Sequence, residues 1–221
     1  MFKYDGEDTS PLSKGFSVLL NALLTASDRT GAYESNLCVT AYEAMNVLIS
    51  EAANDCQDLI ISIISPFIEK LEHTFNSSVD SEVQIQLQSY IPSVLQTITC
   101  KVEDLIAPFA TRMIKVLIAV FEFRKTIVDE PMLAIGSVLT ECENLVPSVF
   151  PEMKKFFVAA FNNPEDVNSL IASLHCLSIM CDYPDIALFS HDNGTFCDQI
   201  VQCFFQILQV TFVYFLSSVN H

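Results

Sequence analysis

The 221-residue chain is strongly acidic and strongly apolar, and both properties exclude broad classes of protein. It has 27 Asp and Glu residues against 11 Lys and Arg residues, a formal net charge of −16. Such a surface repels nucleic acid and anionic lipid and favours basic peptides or basic protein patches, although simple solubility also explains it. Hydrophobic residues make up 51% of the chain, and no alternating run of strand length occurs between turn residues. The sequence is therefore predicted to be all-α.

Signals for helix starts follow one another along the chain. Asp55 occupies an N-cap position, Ser81 with Gln84 has the form of a capping box, and Asn163 precedes the first-turn residue Pro164. Together with the apolar periodicity, these signals predict helices at residues 10–26, 34–53, 56–75, 81–101, 104–124, 129–143, 147–162, 164–181 and 196–216. We expect the first helix to be an unpaired second helix, and the next eight to form four antiparallel pairs.

The second helices of these predicted pairs carry a polar stripe opposite an apolar face. Between Asp58 and Glu72, polar residues recur at steps of three and four, while Phe67, Leu71 and several isoleucines fill the other side. One such pair is too small to bury its own apolar face, so neighbouring pairs must stack. A two-helix unit that repeats every 40 to 47 residues or so is typical of HEAT and armadillo repeats. The sequence thus predicts one continuous HEAT-type α-solenoid over residues 1–209.

No constellation of residues indicates catalysis or metal binding. The eight cysteines include no CxxC pair, which predicts free thiols and argues against a zinc site. His175 beside Cys176 has the composition of a nucleophilic pair, but both lie among apolar helix residues and are interpreted as structural. Phosphate-binding, nucleophile-elbow and zinc-protease motifs do not occur in the sequence. We therefore expect a protein that is not an enzyme and that uses neither a metal nor a cofactor.

The last residues of the chain, 210–221, form an atypical apolar tail. Residues 200–219 are uncharged and long enough to span a membrane. However, Asp198, Gln202 and Gln206 form a polar stripe at helical spacing, which favours a packed second helix over a membrane anchor. The tail is therefore predicted to lie outside the repeat pattern.

Two blocks of the sequence resemble the importin-beta, or karyopherin-beta, family of nuclear import receptors. The first block is residues 23–60, where LLTASDRT is followed by NLCVTAYEAMNVLI and an NDC turn. The second block is residues 128–208, where DEPMLAIGSVL, PEMKKFF and FCDQIVQCFFQIL are similar in order and spacing to the family's helices. The resemblance covers residues 8–209 and fades between residues 76 and 127. It points to the middle repeats of such a receptor, so we expect the chain to be a fragment.

This resemblance implies a right-handed superhelix in which first helices face outward and second helices line a concave surface. Family members bind basic import signals or the basic arm of the importin-alpha adaptor, contact nucleoporins with Phe-Gly repeats, and release cargo on binding Ran-GTP. The resemblance therefore implies a segment of a nuclear transport receptor found in the cytoplasm, the nucleus and the nuclear pore. The alternative is a general HEAT-repeat scaffold in a cytoplasmic multiprotein assembly, with no role in transport.

The predicted protein-binding surface consists of polar residues on the second helices of the predicted pairs. These residues are Asp58, Glu69, Glu72, Asp104, Asp198 and Gln202. Because an exposed ion pair contributes only about 0 to 1 kcal/mol, affinity for a basic ligand would require many such pairs and would fall with salt. The chain has no Trp, whereas the family clamps basic cargo with inner-face tryptophans. The family's Ran-binding repeats and acidic loop have no counterpart here either, so weak adaptor binding is expected.

Overall fold

The computed structural model describes residues 8–29, 31–32, 36–76, 81–163, 165–183 and 195–205. Over these ranges the chain forms α-helices and short 3-10 turns, and no strand. The helices are α1 (Phe16–Ser27), α2 (Leu37–Ser50), α3 (Gln57–Ser62), α4 (Ile64–His73), α5 (Ser81–Val102), α6 (Ala107–Arg124), α7 (Asp129–Glu141), α8 (Val146–Phe161), α9 (Val167–Cys181) and α10 (residues 195–205). The predicted all-α class is confirmed.

The helices pack as pairs, but the pairing differs from the prediction by one helix. α1 packs on α2, α4 on α5, α6 on α7, and α8 on α9. The expected partners α5 and α6, and likewise α7 and α8, meet mainly through the 3-10 turns between them. The prediction of four pairs and one additional helix is right in number for the described residues. The additional helix is α10 rather than α1, so the predicted starting point of the repeat is wrong.

The length of a connection does not decide which helices pair. The 3-10 turns Asn54–Cys56, Glu103–Ile106 and Glu143–Leu145 run directly into the next helix. The connections at residues 103–106, 125–128 and 142–145 are each four residues long, yet among them only 125–128 joins the two helices of a pair. The 3-10 turns join successive repeats instead of the two helices of one repeat.

The second helices of the observed pairs form a closely packed layer. α2 packs extensively on α5, α5 on α7, and α7 on α9. The contact between the first helices α4 and α6 is less extensive. At Gly136 on α7, an added Cβ would lie 3.2 Å from Ile179 Cδ1 and 3.6 Å from Cys176 Cα, both on α9. All the extensive contacts join helices of the same repeat or of adjoining repeats, as a solenoid requires.

The spacing of the repeats supports the HEAT assignment. The second helices begin at Leu37, Ser81, Asp129 and Val167, which are 44, 48 and 38 residues apart. These intervals are close to the HEAT period and longer than the roughly 34 residues of a tetratricopeptide repeat.

Proline interrupts the helix that was predicted to span residues 56–75. α3 ends at Ser62 and α4 begins at Ile64, because Ile63 adopts φ −91° and ψ −7° between them. Pro66 has no N–H to donate to the Ser62 carbonyl, and its ring crowds that carbonyl. The first helix of the second repeat is therefore made of two short helices instead of one continuous helix.

Two predicted capping residues act differently from the prediction. Asp55 lies within a 3-10 turn, where its carboxylate accepts hydrogen bonds from Thr9 Oγ1 and Ser13 Oγ, each at 2.7 Å. These hydroxyls precede α1, so Asp55 fixes the start of the described chain to the second repeat. Both hydrogen bonds lower the pKa of the Asp55 carboxyl. Asn163, the other predicted cap, does not cap α9. That helix begins at Val167 with Asp166 as its N-cap, and the Asp166 carboxylate accepts from Ser169 N at 3.2 Å.

Aromatic side chains fill the interior along the length of the stack. The largest fully buried side chains include Phe16, Tyr42, Phe67, Phe121, Phe150, Phe157 and Phe161. α10 packs on α8 through ring contacts of Phe196 with Phe150 at 5.4 Å and of Phe204 with Phe161 at 5.8 Å. Across the described ranges no helix is long and apolar enough to cross a membrane. The predicted tail at 210–221 lies outside the described residues.

Candidate protein-binding surface

The six residues predicted to bind a partner are all exposed, but they do not lie on second helices. Asp58 is on α3, Glu69 and Glu72 are on α4, Asp104 is in the turn Glu103–Ile106, and Asp198 and Gln202 are on α10. Because α3 and α4 together form the first helix of a repeat, the predicted assignment to second helices is wrong. Binding by these residues stays a prediction.

The structure brings Glu69 and Glu72 together with one basic residue of the next repeat. Arg112 on α6 donates from Nε to Glu72 Oε1 at 3.0 Å and from Nη2 to Glu72 Oε2 at 2.7 Å. Its Nη1 lies 3.8 Å from Glu69 Oε1. The bond to Glu72 is the main reason that the pKa of Arg112 is raised. Glu72 is therefore already held by a bidentate guanidinium, a strong geometry for a carboxylate, and Glu69 is held more weakly by the same group.

Similar ion pairs link the other first helices. Lys70 on α4 donates to Asp28 at the end of α1, and Lys155 on α8 donates to Glu122 on α6. The three principal pairs join residues 42, 40 and 33 positions apart, close to one repeat in each case. Sequence reasoning missed these pairs. An acidic residue followed by a basic residue about one repeat later is the signal that indicates them.

Carboxylates without basic partners gather at the turn Glu103–Ile106. Partial burial raises the pKa of Glu141, and the charges of Glu103 and Asp104 raise it further, which shows that the three carboxylates lie close together. Among the described residues none of the three forms an ion pair, and Glu103 adopts a positive φ of 52°. Asp104 thus lies in acidic surroundings, which suit a Lys- or Arg-rich ligand.

The comparisons with known proteins bear on this acidic solenoid. The sequence matches the family model described as "Importin subunit beta-1-like, TPR repeats" over residues 1–214. The chain belongs to the importin subunit beta-1-like family.

Two curated relatives give the extent of the similarity. The chain is 25% identical to importin subunit beta-1 of Arabidopsis thaliana over 183 residues, which cover 78% of this chain and 21% of that protein. It is 22% identical to importin subunit beta-1 of Schizosaccharomyces pombe over 175 residues, or 73% of this chain and 20% of that protein. The chain thus spans about a fifth of the length of these relatives.

Solved structures of importin beta have the same fold. A crystal structure of importin beta in a polyethylene glycol condition superposes with a TM-score of 0.75 at 20% identity, covering 91% of this chain and 24% of that chain. One in an ammonium sulfate condition gives 0.72 at 20% identity, covering 97% and 28%. These matches agree with the HEAT-repeat α-solenoid.

The closely packed layer of this importin beta-1-like chain has its own polar groups, which sequence reasoning did not single out. Asn46 on α2 donates from Nδ2 to Ser93 Oγ at 2.9 Å and accepts from Thr97 Oγ1 at 3.1 Å, so it joins α2 to α5. At the start of α7, burial and the neighbouring Asp129 carboxylate raise the pKa of Glu130 to about 7. Neutral hydrogen bonds and a half-buried acid thus characterise this layer, in contrast to the ion pairs of the first helices.

His175 and Cys176 do not form a catalytic pair in this importin beta-1-like chain. The Cys176 thiol is fully buried against α7, and burial raises its pKa to about 12, while His175 is exposed. A thiol with such a pKa stays protonated near neutral pH and is a poor nucleophile. Within the described ranges, moreover, no group of three His, Cys, Asp or Glu residues is placed to hold a metal ion.

Proposed function

We propose that the chain is a segment of a nuclear transport receptor that binds basic import signals or the importin-alpha adaptor and takes part in protein import into the nucleus. Family membership over residues 1–214 is the observation that carries this proposal. The net charge of −16 supports the sign of the ligand, because a long acidic surface attracts a Lys- and Arg-rich segment. The role is binding without catalysis.

The proposed binding residues contribute unequally because some are already paired. Asp58, Asp104 and Asp198 are exposed and form no ion pair with other described residues, so they are open to an incoming ammonium or guanidinium group. Glu69 and Glu72 become available only when the ligand displaces Arg112. Gln202 lies one turn after Asp198 on α10 and offers an amide to the same ligand segment.

The remaining proposed partners belong to the full receptor. We include nucleoporins with Phe-Gly repeats and Ran-GTP, with movement between the cytoplasm and the nucleus through the nuclear pore. Their support is the family alone, since this chain spans about a fifth of its curated relatives. Neither nucleic acid nor a membrane is among the proposed partners, because the acidic surface repels both phosphate backbones and anionic lipid.

Isothermal titration of the chain with a peptide of the importin-alpha amino-terminal arm tests this proposal. We expect binding that weakens several-fold between about 50 mM and about 300 mM salt, because exposed charges are screened over this range. The triple variant Asp58→Asn, Asp104→Asn and Asp198→Asn should bind about tenfold more weakly at low salt, at up to about 1 kcal/mol for each lost pair.

The matched control changes three other exposed acidic residues, as Glu152→Gln, Glu165→Gln and Asp182→Asn. The control variant has the same net charge as the first triple variant. If binding occurs at the proposed surface, the control variant should bind the arm more tightly than the first triple variant does. Equal losses in both variants would mean that only net charge matters. An arm that does not bind at low salt would contradict the proposal and favour the alternative, a HEAT scaffold of a cytoplasmic assembly.

A further inference from the structure

A cleft of about 380 Å³ lies between the third and fourth repeats, beside the loops that connect the two helices of each. Its apolar lining comes from Phe121 on α6, Ile127 in the following loop, and Phe156, Ala159 and Ala160 on α8. Phe121, Phe156 and Ala160 are buried core residues, so the base of the cleft is fixed by the packing of the two repeats. The cleft suits one apolar side chain of a partner, held by burial of its surface.

The charged groups around this cleft are mostly committed to each other. Lys155 donates to Glu122, and its ammonium also lies 4.7 Å from the centre of the Phe156 ring. Asp166 caps α9 through Ser169 N and Ser169 Oγ. Lys125 is exposed and forms no ion pair with any described residue. The pKa of Glu122 is lowered mainly by Lys155, and the charge of Lys125 lowers it a little further. Among the described residues that line the cleft, the charge left uncommitted is therefore positive.

The backbone fixes the position of Lys125 at the rim. It adopts φ 56° and ψ 23°, the left-handed conformation, as the residue that ends α6. Its N–H donates to the Phe121 carbonyl at 2.9 Å, which closes the last turn of the helix. The backbone of Lys125 is therefore fixed at the rim of the cleft, which its side chain lines.

We propose that this cleft binds a short extended peptide in which an apolar side chain is flanked by carboxylates. The apolar side chain packs on the contacting rings of Phe121 and Phe156, whose centroids are 4.9 Å apart at the base of the cleft, and a neighbouring carboxylate accepts from the Lys125 ammonium. This ligand is opposite in charge to the basic segments proposed for the acidic surface. The cleft would therefore recognise a second class of partner and would not compete with basic cargo.

The absence of Trp from the chain allows a direct test by fluorescence. The probe is a capped hexapeptide of sequence SDLWDS, and its comparison peptides are SNLWNS, without carboxylates, and SGLWGS. Added to the full chain, SDLWDS should show a blue shift of its Trp emission and saturable binding. SNLWNS and SGLWGS should bind about fivefold or more weakly, since a hydrogen bond to a charged group is lost in each.

Three variants locate the binding and separate it from changes in folding. Lys125→Gly removes the ammonium and relieves the left-handed backbone, so it keeps the fold and should abolish the preference for SDLWDS over SNLWNS. Ala159→Leu fills the cleft from an exposed position and should weaken all three peptides. Lys115→Gln, an exposed lysine on α6 that does not line the cleft, should bind like the unchanged chain. Absence of a blue shift with SDLWDS, equal binding of SDLWDS and SNLWNS, or an unchanged preference in Lys125→Gly would each overturn the proposal.

Discussion

The two layers of this solenoid are held together by different interactions. The second helices α2, α5, α7 and α9 pack closely. At the contact between α7 and α9, the missing side chain of Gly136 leaves room for Ile179 and Cys176. Neighbouring first helices are joined at the surface by ion pairs such as Glu72 with Arg112 and Glu122 with Lys155. Exposed ion pairs stabilise a fold by about 0 to 1 kcal/mol, whereas close apolar packing contributes several kcal/mol.

This difference indicates how one chain can be both stable and adaptable as a binding protein. The closely packed layer fixes the stacking of the repeats. The ion pairs of the other layer can be exchanged for pairs with a ligand at little cost in stability, because each contributes little. The predictions below test this division, beginning with the largest expected effect.

Enlarging Gly136 should damage the closely packed layer. We expect Gly136→Leu to lower the free energy of unfolding by about 2 to 3 kcal/mol, because the side chain would have to displace Ile179 and the α9 backbone. Urea unfolding followed by circular dichroism measures this change. Gly15→Leu is the matched control, since a Cβ at Gly15 meets no atom within 4 Å. Similar losses in both variants would show that helix packing at α7 and α9 is not the cause.

The half-buried Glu130 should make the stability depend on pH near neutrality. Its pKa is raised to about 7 in the folded chain, first by burial and then by Asp129, so its contribution is present below its ordinary pKa and is lost as pH rises through about 7. The other charged or titratable groups that influence it are Arg124, and Tyr90, whose own pKa is raised in part by Glu130.

Glu130→Gln removes this titration. After allowance for solvent screening, the variant should gain about 1 to 2 kcal/mol relative to the unchanged chain at pH 8, and little at pH 5. Urea unfolding at the two pH values gives the comparison. Glu152→Gln, at an exposed position on α8, serves as the control and should show no such dependence. A gain that is the same at both pH values would contradict the assignment to Glu130.

Removing Arg112 should have the smallest effect on stability and a measurable effect on binding. We expect Arg112→Gln to shift the midpoint of thermal unfolding by no more than about 2 °C, because the pair with Glu72 is exposed. Affinity for the importin-alpha arm should rise by about twofold to fivefold, since Glu69 and Glu72 no longer need to be released from an internal partner. Lys115→Gln, on the same helix, is the control for net charge. An equal rise in both variants would show that the pair itself has no influence.

Helix positions could be predicted from the sequence much better than helix partners. The helix predicted at 104–124 is observed at Ala107–Arg124, because apolar periodicity and proline are local signals. Pairing is not local: the repeat period is the same whichever helix begins the unit, so the period could not show that α6 packs on α7 rather than on α5. The break at Ile63 could have been anticipated from Pro66, whose effect on the preceding turn is a general property of proline.

The candidate surface could be predicted only in part. The exposure of Asp58 and Asp104 follows from their position opposite apolar residues, which the sequence contains. The pairing of Glu72 with Arg112 does not follow from the sequence. Arg112 is 40 positions away and reaches Glu72 only when α4 and α6 are neighbours. The cleft beside Lys125 needs the same information about neighbouring repeats, since α6 and α8 supply different parts of its lining.

Hydrogen exchange of the full chain, with and without the importin-alpha arm, tests the division between the layers most directly. In the free chain we predict that amides of α7 exchange most slowly and that those of α3 exchange faster, because α7 contacts α5, α6 and α9 while α3 is a six-residue helix. Addition of the arm should slow exchange at α3, in the turn Glu103–Ile106 and in α10, and leave α7 unchanged. Slowing confined to α2, α5 and α7 would place the ligand on the closely packed layer and contradict this account.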